Sequence, residues 1–280
     1  MSSSPDTPLV FYKYQGAGND FVMIDNRTGL FAPFDSPGAI AHLCNRHFGI
    51  GADGLILLQE KDGWDFEMVY FNADGNKSTM CGNGGRCVAA FARQLGIPDT
   101  SGSFRFWAAD GAHEALFLPN GWVSLKMNDV TGVETGDQYF YLNTGSPHYV
   151  TFVTDIEKTD IVAEGRQVRY SPRFQQEGTN VNFVQLTPEG IIVATYERGV
   201  EDETLSCGTG VTAAALAAYL STAGKMKDHI AVSTKGGNLE VRFQPTPKGF
   251  KDIWLNGPAV RVFSGKITND ELRITNKIIN

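Results

Sequence analysis

The chain has 280 residues, enough for two domains of ordinary size, each burying its own core. With 42% hydrophobic and 20% charged residues the composition is that of a soluble globular protein, and a net charge of −7 argues against nucleic acid or an anionic membrane as partner. The opening MSSSPDTPLVFYKY has no basic stretch followed by an apolar run, and the longest apolar stretch, 211–220, is too short for a bilayer. The expected location is the cytoplasm. Four cysteines (Cys44, Cys81, Cys87 and Cys207) are too few for a disulfide framework, so free thiols are expected, with Cys44 and Cys87 read as small buried hydrophobes.

In chain order, short β-branched or aromatic runs bounded by Gly, Asp and Asn predict strands at FVMID (21–25), LILLQ (55–59) and FEMVYF (66–71). A helix is predicted over 84–95, directly after Cys81, followed by strands FRFWA (104–108) and VSLKM (123–127). Turn residues cluster in VTGVETGDQ (130–138). Beyond them come strands HYVTFV (148–153), VNFVQL (181–186) and IIVATYE (191–197), an Ala-rich helix over 210–220, and strands IAVST (230–234), LEVRF (239–243) and IWLN (253–256).

The second list repeats the first. Laying Cys207 over Cys81 sets CGTGVTAAALAAYLST (207–222) over CGNGGRCVAAFARQLG (81–96), Tyr196 over Tyr70, and Thr179-Asn180-Val181 over Asp53-Gly54-Leu55. IAVSTKGGNLEV (230–241) falls over FRFWAADGAHEA (104–115), and GSPHYVTF (145–152) over GNDFVMID (18–25) after a slip of one residue. Ordered matches at nearly one offset indicate two homologous halves, 1–130 carrying Cys81 and 131–280 carrying Cys207, with a short tail after about residue 263. The expected fold class is α+β: two pseudo-symmetric domains, each a curved, mostly antiparallel sheet around a central helix, with the active site in the cleft between them.

In each half a cysteine precedes Gly-X-Gly and then a helix. The unpaired N–H groups and positive dipole end of a helix start favour a thiolate and bind a carboxylate. Inverting a carbon centre by proton transfer needs a base on one face and an acid on the other, and two thiols can each play either part. Dipoles fixed at a developing enolate would let the reaction run without a cofactor or metal. Singly, either motif would favour a structural turn; the doubling overturns that reading. Cys81 and Cys87 as a metal pair fit no usual zinc spacing, and a C-X-X-C redox pair is absent.

With these motifs the chain resembles the diaminopimelate epimerase family from Phe11 to about Val262, through GAGNDFVMID (16–25), FGIGADGLI (48–56), FNADG (71–75), MCGNGGRC (80–87), GSPH (145–148), TNVNF (179–183), YERG (196–199) and SCGTG (206–210). The resemblance implies a cofactor-free isomerase, independent of pyridoxal phosphate, that interconverts LL- and meso-2,6-diaminopimelate in lysine and cell-wall synthesis. It implies Cys81 and Cys207 as the paired proton donor and acceptor, with His148 and Glu197 beside them tuning the thiols. Asn19, Asn72, Asn180 and Arg198 would hydrogen-bond the substrate, Arg198 through the carboxylate remote from the reacting carbon. Backbone amides of Gly82, Asn83, Gly208 and Thr209 would hold the reacting carboxylate. Both Glu197 and Arg198 reach one site only if their strand ends there, as Gly199 suggests. Family members form dimers, so a homodimer is among the expectations. The chain departs from some members at Gly54, where they carry a substrate-contacting Gln, and at Ser146, where others carry Asn.

Two other readings compete. A proline or hydroxyproline racemase resembles CGHG in the first motif, where this chain has Asn83, and would give Arg198 and Glu197 no zwitterion to grip. A non-catalytic thiol or ligand-binding protein would have no need of two matched cysteines.

Overall fold

The structure is a computed structural model that describes residues 8–99 and 102–268. The opening MSSSPDT lies outside the described residues, as does the expected tail from residue 269 on. The chain divides into two units, one holding the residues up to Val123 and those from Ala259 on, the other Ser124–Pro258.

Unit 1 opens with β1 (Leu9–Gly16) and β2 (Asn19–Asp25), an antiparallel hairpin turned at Ala17 and Gly18, both at positive φ. The helix α1 (Pro37–Cys44) starts at Ser36, whose side chain accepts the Ala39 N–H, with Pro37 in the first turn. Then follow β3 (Gly54–Gln59), β4 (Phe66–Asn72), α2 (Gly82–Gln94), β5 (Ser103–Ala108) and β6 (Gly111–Phe117). Successive strands from β1 to β6 pair antiparallel, parallel, antiparallel, parallel, antiparallel. The helix α2 packs against β1, β2, β3, β4 and β6. Its first turn is glycine-rich and a poor helix former, so burial of its apolar residues (Val88, Phe91 and Ala92 among them) holds it more than propensity does.

Unit 2 begins inside β7 (Val123–Lys126) and continues through β8 (Val130–Thr131), β9 (Glu134–Thr135), β10 (Tyr139–Asn143), β11 (Pro147–Phe152), α3 (Ile161–Arg169), β12 (Asn180–Leu186) and β13 (Gly190–Glu197). After β14 (Asp202–Thr204) come α4 (Gly208–Ser221), β15 (His229–Thr234), β16 (Gly237–Thr246) and β17 (Gly249–Gly257). The ladders β10–β11, β11–β12, β12–β13, β13–β15 and β15–β16 repeat the pairing senses of unit 1 in the same order. The Ala-rich α4 is buried along most of its length against β10 to β13 and β15 to β17, its small side chains permitting close approach. The last strand, β18 (Val260–Ile267), returns to unit 1 and pairs antiparallel with β1. The expected α+β class, with two repeated sheets each around one helix, is the fold observed.

The registers test the repeat residue by residue. Phe21 pairs with Gly54 as His148 pairs with Asn180, which bears out the one-residue slip and gives His148 the place of Phe21. Ile56 pairs with Tyr70, but Asn182 pairs with Thr195. Thr195, not Tyr196, therefore corresponds to Tyr70, because the connection between β12 and β13 is one residue shorter than that between β3 and β4.

Candidate active site

Cys81 is the residue that caps α2 and Cys207 the one that caps α4, both with extended backbone. Their carbonyls accept the first helical bonds, from Gly85 and Val211, at 2.7 and 2.8 Å. Neither cysteine side chain caps its helix, so the first-turn amides of Gly82 and Asn83, and of Gly208 and Thr209, are not taken by the thiols. Cys81 is half-buried, Cys207 nearly enclosed with Sγ 3.5 Å from Thr209 Oγ1. The other two cysteines are buried, and burial pushes each thiol up to about 12, as expected of inert core residues.

In unit 1 a charged network holds Asn19. Arg46 Nη2 bridges Asp20 Oδ1 and Asp53 Oδ1, each at 2.7 Å. The buried Lys13 pairs with Asp20 Oδ2 at 2.7 Å and donates to the Gly51 carbonyl. Burial opposes ionisation of Asp20, yet Arg46 and Lys13 hold its carboxyl at about 2. Asp53 Oδ2 accepts from Asn19 Nδ2 at 2.6 Å and from the Asp20 N–H at 3.1 Å. A carboxylate only accepts, so Asn19 must turn its amide nitrogen to Asp53 and its Oδ1 to Cys81 Sγ and Asn83 Nδ2, both at 3.5 Å. Beneath the helix start Arg86 is fully buried, donating to Asn83 Oδ1 at 2.8 Å and to the Gly82 carbonyl at 3.3 Å. Asn72 ends β4 opposite Gly54 and is exposed. At Gly54 a Cβ would meet Tyr70 Cε2 and the Phe71 carbonyl at 2.5 Å. The Tyr70 ring thus fills the space a Gln at this position would need.

In unit 2, Asn180 is engaged on both ends of its amide. Its Nδ2 donates to Ser146 Oγ at 2.9 Å and to the Pro147 carbonyl at 3.0 Å, and its Oδ1 accepts the Arg198 N–H at 3.0 Å. The Arg198 guanidinium donates to the Glu177 carbonyl at 2.9 Å and to Ser146 Oγ at 3.3 Å. Asn180, Ser146 and Arg198 thereby form one cluster. The strand β13 does end at Glu197, whose Oε2 accepts from Thr204 Oγ1 at 2.8 Å.

His148 lies in β11 and is wholly buried. Burial, with the Arg198 charge added, pushes its imidazolium down to about 3, so the ring is neutral. Its Nδ1 lies 3.0 Å from Asn182 Nδ2, which also donates to the Tyr149 carbonyl at 3.2 Å; Asn182 Oδ1 accepts from Thr195 Oγ1 at 3.0 Å. Asn182, Thr195, Asp53 and Arg86 were not among the residues singled out from sequence. The second Asn of TNVNF, the Asp of GIGADG and the Arg of MCGNGGRC stand inside recognised motifs, which is the signal that could have flagged three of them.

A sequence model of the family described as "Diaminopimelate epimerase" matches residues 11–131 and 140–262, one stretch for each half of the repeat. The chain belongs to the diaminopimelate epimerase family. Among its relatives, the diaminopimelate epimerase of Flavobacterium psychrophilum is 50% identical over 92% of this chain and all of its own length. That of Chlorobaculum tepidum is 42% identical over 90% of this chain and 99% of its own. Solved structures share the fold at low identity. A phenazine biosynthesis protein of the PhzF family from Bacillus anthracis has a TM-score of 0.72 at 14% identity, covering 93% of this chain and 99% of that one. A hydroxyproline epimerase from Agrobacterium vitis has a TM-score of 0.64 at 14% identity, covering 95% and 93%. At that identity the likeness shows the fold alone, and membership of the diaminopimelate epimerase family does not favour the proline racemase reading. The family is one of isomerases. No helix among the described residues is long and apolar enough to cross a membrane.

Proposed function

We propose that this chain interconverts LL- and meso-2,6-diaminopimelate, with Cys81 and Cys207 as the proton carriers and no bound cofactor. The observation that supports this reading best is the pair of cysteines at the starts of corresponding central helices. One thiolate takes the α-proton, and the electron pair of the broken C–H bond is held by the carboxylate-stabilised carbon. The other thiol delivers its proton to the opposite face. The first-turn amides from Gly82 and Asn83, and from Gly208 and Thr209, stabilise the charge that builds on the reacting carboxylate. Arg198, tied to Asn180 through Ser146, takes the distal carboxylate, with Asn19 and Asn72 as further substrate contacts and His148 and Glu197 as neighbours of the thiols.

We place the enzyme in the cytoplasm, in lysine and peptidoglycan precursor synthesis, and as a homodimer. Exposed Val260, Val262 and Phe263 on β18 supply an apolar surface for a second copy. Incubation with LL-diaminopimelate in D₂O should place deuterium at the α-carbon and generate the meso form. Deuterium entering proline while diaminopimelate stays unlabelled would end this reading.

A further inference from the structure

The two central helices start alike but rest on different floors. Under α2, a Cβ on Gly84 would lie 3.1 Å from Ile56 Cδ1, 3.2 Å from Met68 Cε and 3.5 Å from Phe21 Cζ, an apolar surround. Under α4, the ladder registers put His148 where Phe21 stands, Asn182 where Ile56 stands and Thr195 where Tyr70 stands. A Cβ on Gly210 would meet Asn182 Oδ1 at 2.4 Å and Thr195 Oγ1 at 3.3 Å. The apolar Phe21 and Ile56 of one half are thus replaced by His148 and Asn182 in the other. With Thr195 in the place of Tyr70 these form a polar, hydrogen-bonded cluster, all three residues buried. Buried polar groups cost free energy unless they are paired, so a packing role alone would be served at lower cost by the residues of unit 1.

The bonds within this cluster fix which proton the imidazole carries. The Tyr149 carbonyl can only accept, so it must face the nitrogen of the Asn182 amide, and Thr195 Oγ1 donates to the oxygen. The same nitrogen therefore donates to His148 Nδ1, which has to be the unprotonated acceptor. The proton sits on Nε2, a buried atom with no hydrogen-bond partner among the described residues. The elements packed against β11 offer no carboxylate to charge the ring: β12 has no titratable side chain, β10 has Tyr139 and Tyr141, and α4 has Tyr219 with Cys207 at its start. The charge that does act on the ring, Arg198, opposes protonation.

We propose that Asn182 and Thr195 are positioning residues that lock His148 as a neutral Nε2–H donor at the foot of α4, so that it offers a hydrogen bond to an anion there and neither takes nor gives a proton. The proposal rests on the epimerase reading for the identity of that anion, a carboxylate or thiolate at the start of α4, but not for the state of the ring.

Two-bond ¹H–¹⁵N spectra of the full chain, labelled at histidine, report that state directly. The expected result for the unaltered protein is the Nε2–H tautomer for His148, assigned by loss of its signals in His148→Gln, with no titration between about pH 5 and about pH 9. Asn182→Asp sets a carboxylate against Nδ1 and should turn the ring to a protonated Nδ1 with an ionisation raised by about 1 to 3 units. Thr195→Val removes one of the two bonds that orient the Asn182 amide, leaving the Tyr149 carbonyl alone to hold it, and should admit a minor population of the other tautomer. An Nδ1–H tautomer in the unaltered protein, or a titration near the ordinary histidine range, overturns the proposal whether or not the variants fold. So do unchanged His148 signals in a folded Asn182→Asp. Failure of deuterium to enter diaminopimelate would instead undo the epimerase reading and leave these spectra as they are.

Discussion

The α-carbon of Gly210 faces Asn182 so closely that a Cβ there would lie 2.4 Å from Asn182 Oδ1. Gly84, the matching residue of α2, faces the far ends of the Ile56 and Met68 side chains at 3.1 and 3.2 Å and the Phe21 ring at 3.5 Å. Gly210→Ala must displace a side chain held by three hydrogen bonds and is expected to cost about 1–3 kcal/mol. Gly84→Ala should stay within about 1 kcal/mol of the unaltered protein, since helix propensity gained offsets mild crowding. Urea unfolding of the two variants checks the order; equal losses would contradict it.

Stability should fall as the medium is acidified. His148 is held down to about 3 from 6.5, so the folded state prefers the neutral ring. That contribution is present above about pH 6.5 and is lost as the pH falls from there toward 3. Asp20, at about 2 instead of 3.8, adds a second loss in the same direction at lower pH. The urea midpoint should therefore drop between about pH 7.5 and about pH 5.5, and His148→Gln should flatten that drop. A wild-type midpoint that rises toward pH 5.5 would contradict the sign.

Asp53→Ala removes the carboxylate that turns Asn19, leaving the amide free to present either end to Cys81. The expected outcome is a loss of about 100-fold in kcat, the scale of a small misplacement next to a reacting group. Much of the loss should return in Asp53→Glu if orientation is the cause. Turnover unchanged in Asp53→Ala would remove Asp53 from this role.

Arg198→Ala should act on binding. A hydrogen bond to a charged group is worth about 1.5–3 kcal/mol, so KM for diaminopimelate should rise by about 10- to 100-fold. Arg198→Lys should fall between, because it keeps the charge and loses the fork that now spans Ser146 Oγ and the Glu177 carbonyl. Steady-state kinetics with both variants decides this; a fall in kcat at constant KM would place Arg198 elsewhere in the mechanism.

The repeat was legible because it is carried by local strings: each Cys-Gly-X-Gly and its helix lie within one short stretch of chain. Strands with a continuous apolar pattern, such as β3, were legible for the same reason. The helices α1 and α3 were not read. Both are short, and α3 has Gly165 in its middle, where a Cβ would lie 2.5 Å from the Tyr196 side chain. Tight packing on β13 sets that residue, and no local propensity reports it. The strand β18 was read as second half and tail, since its partner β1 lies at the opposite end of the sequence. The same distance hid the network of Lys13, Asp20, Arg46 and Asp53, whose members are spread through three segments of unit 1. His148 was read as the start of a strand, as it is, but its burial beside Asn182 and Thr195 was not, because only the strand registers bring those residues to it.

The return of β18 has a consequence for synthesis on the ribosome. Unit 2 is one unbroken segment, 124–258, and holds all of its own strands from Ser124 onward. Unit 1 is made first but lacks the partner of β1 until the residues of β18 have been translated, with Leu9 waiting for Ile267. The half that is translated second can therefore close its sheet first, and the older half, its β1 without that ladder in the meantime, finishes last. A chain stopped short of residue 260 would leave the hydrogen-bonding groups of β1 that β18 takes without their partner, an aggregation-prone state that the complete chain leaves behind only when its own C-terminal strand arrives.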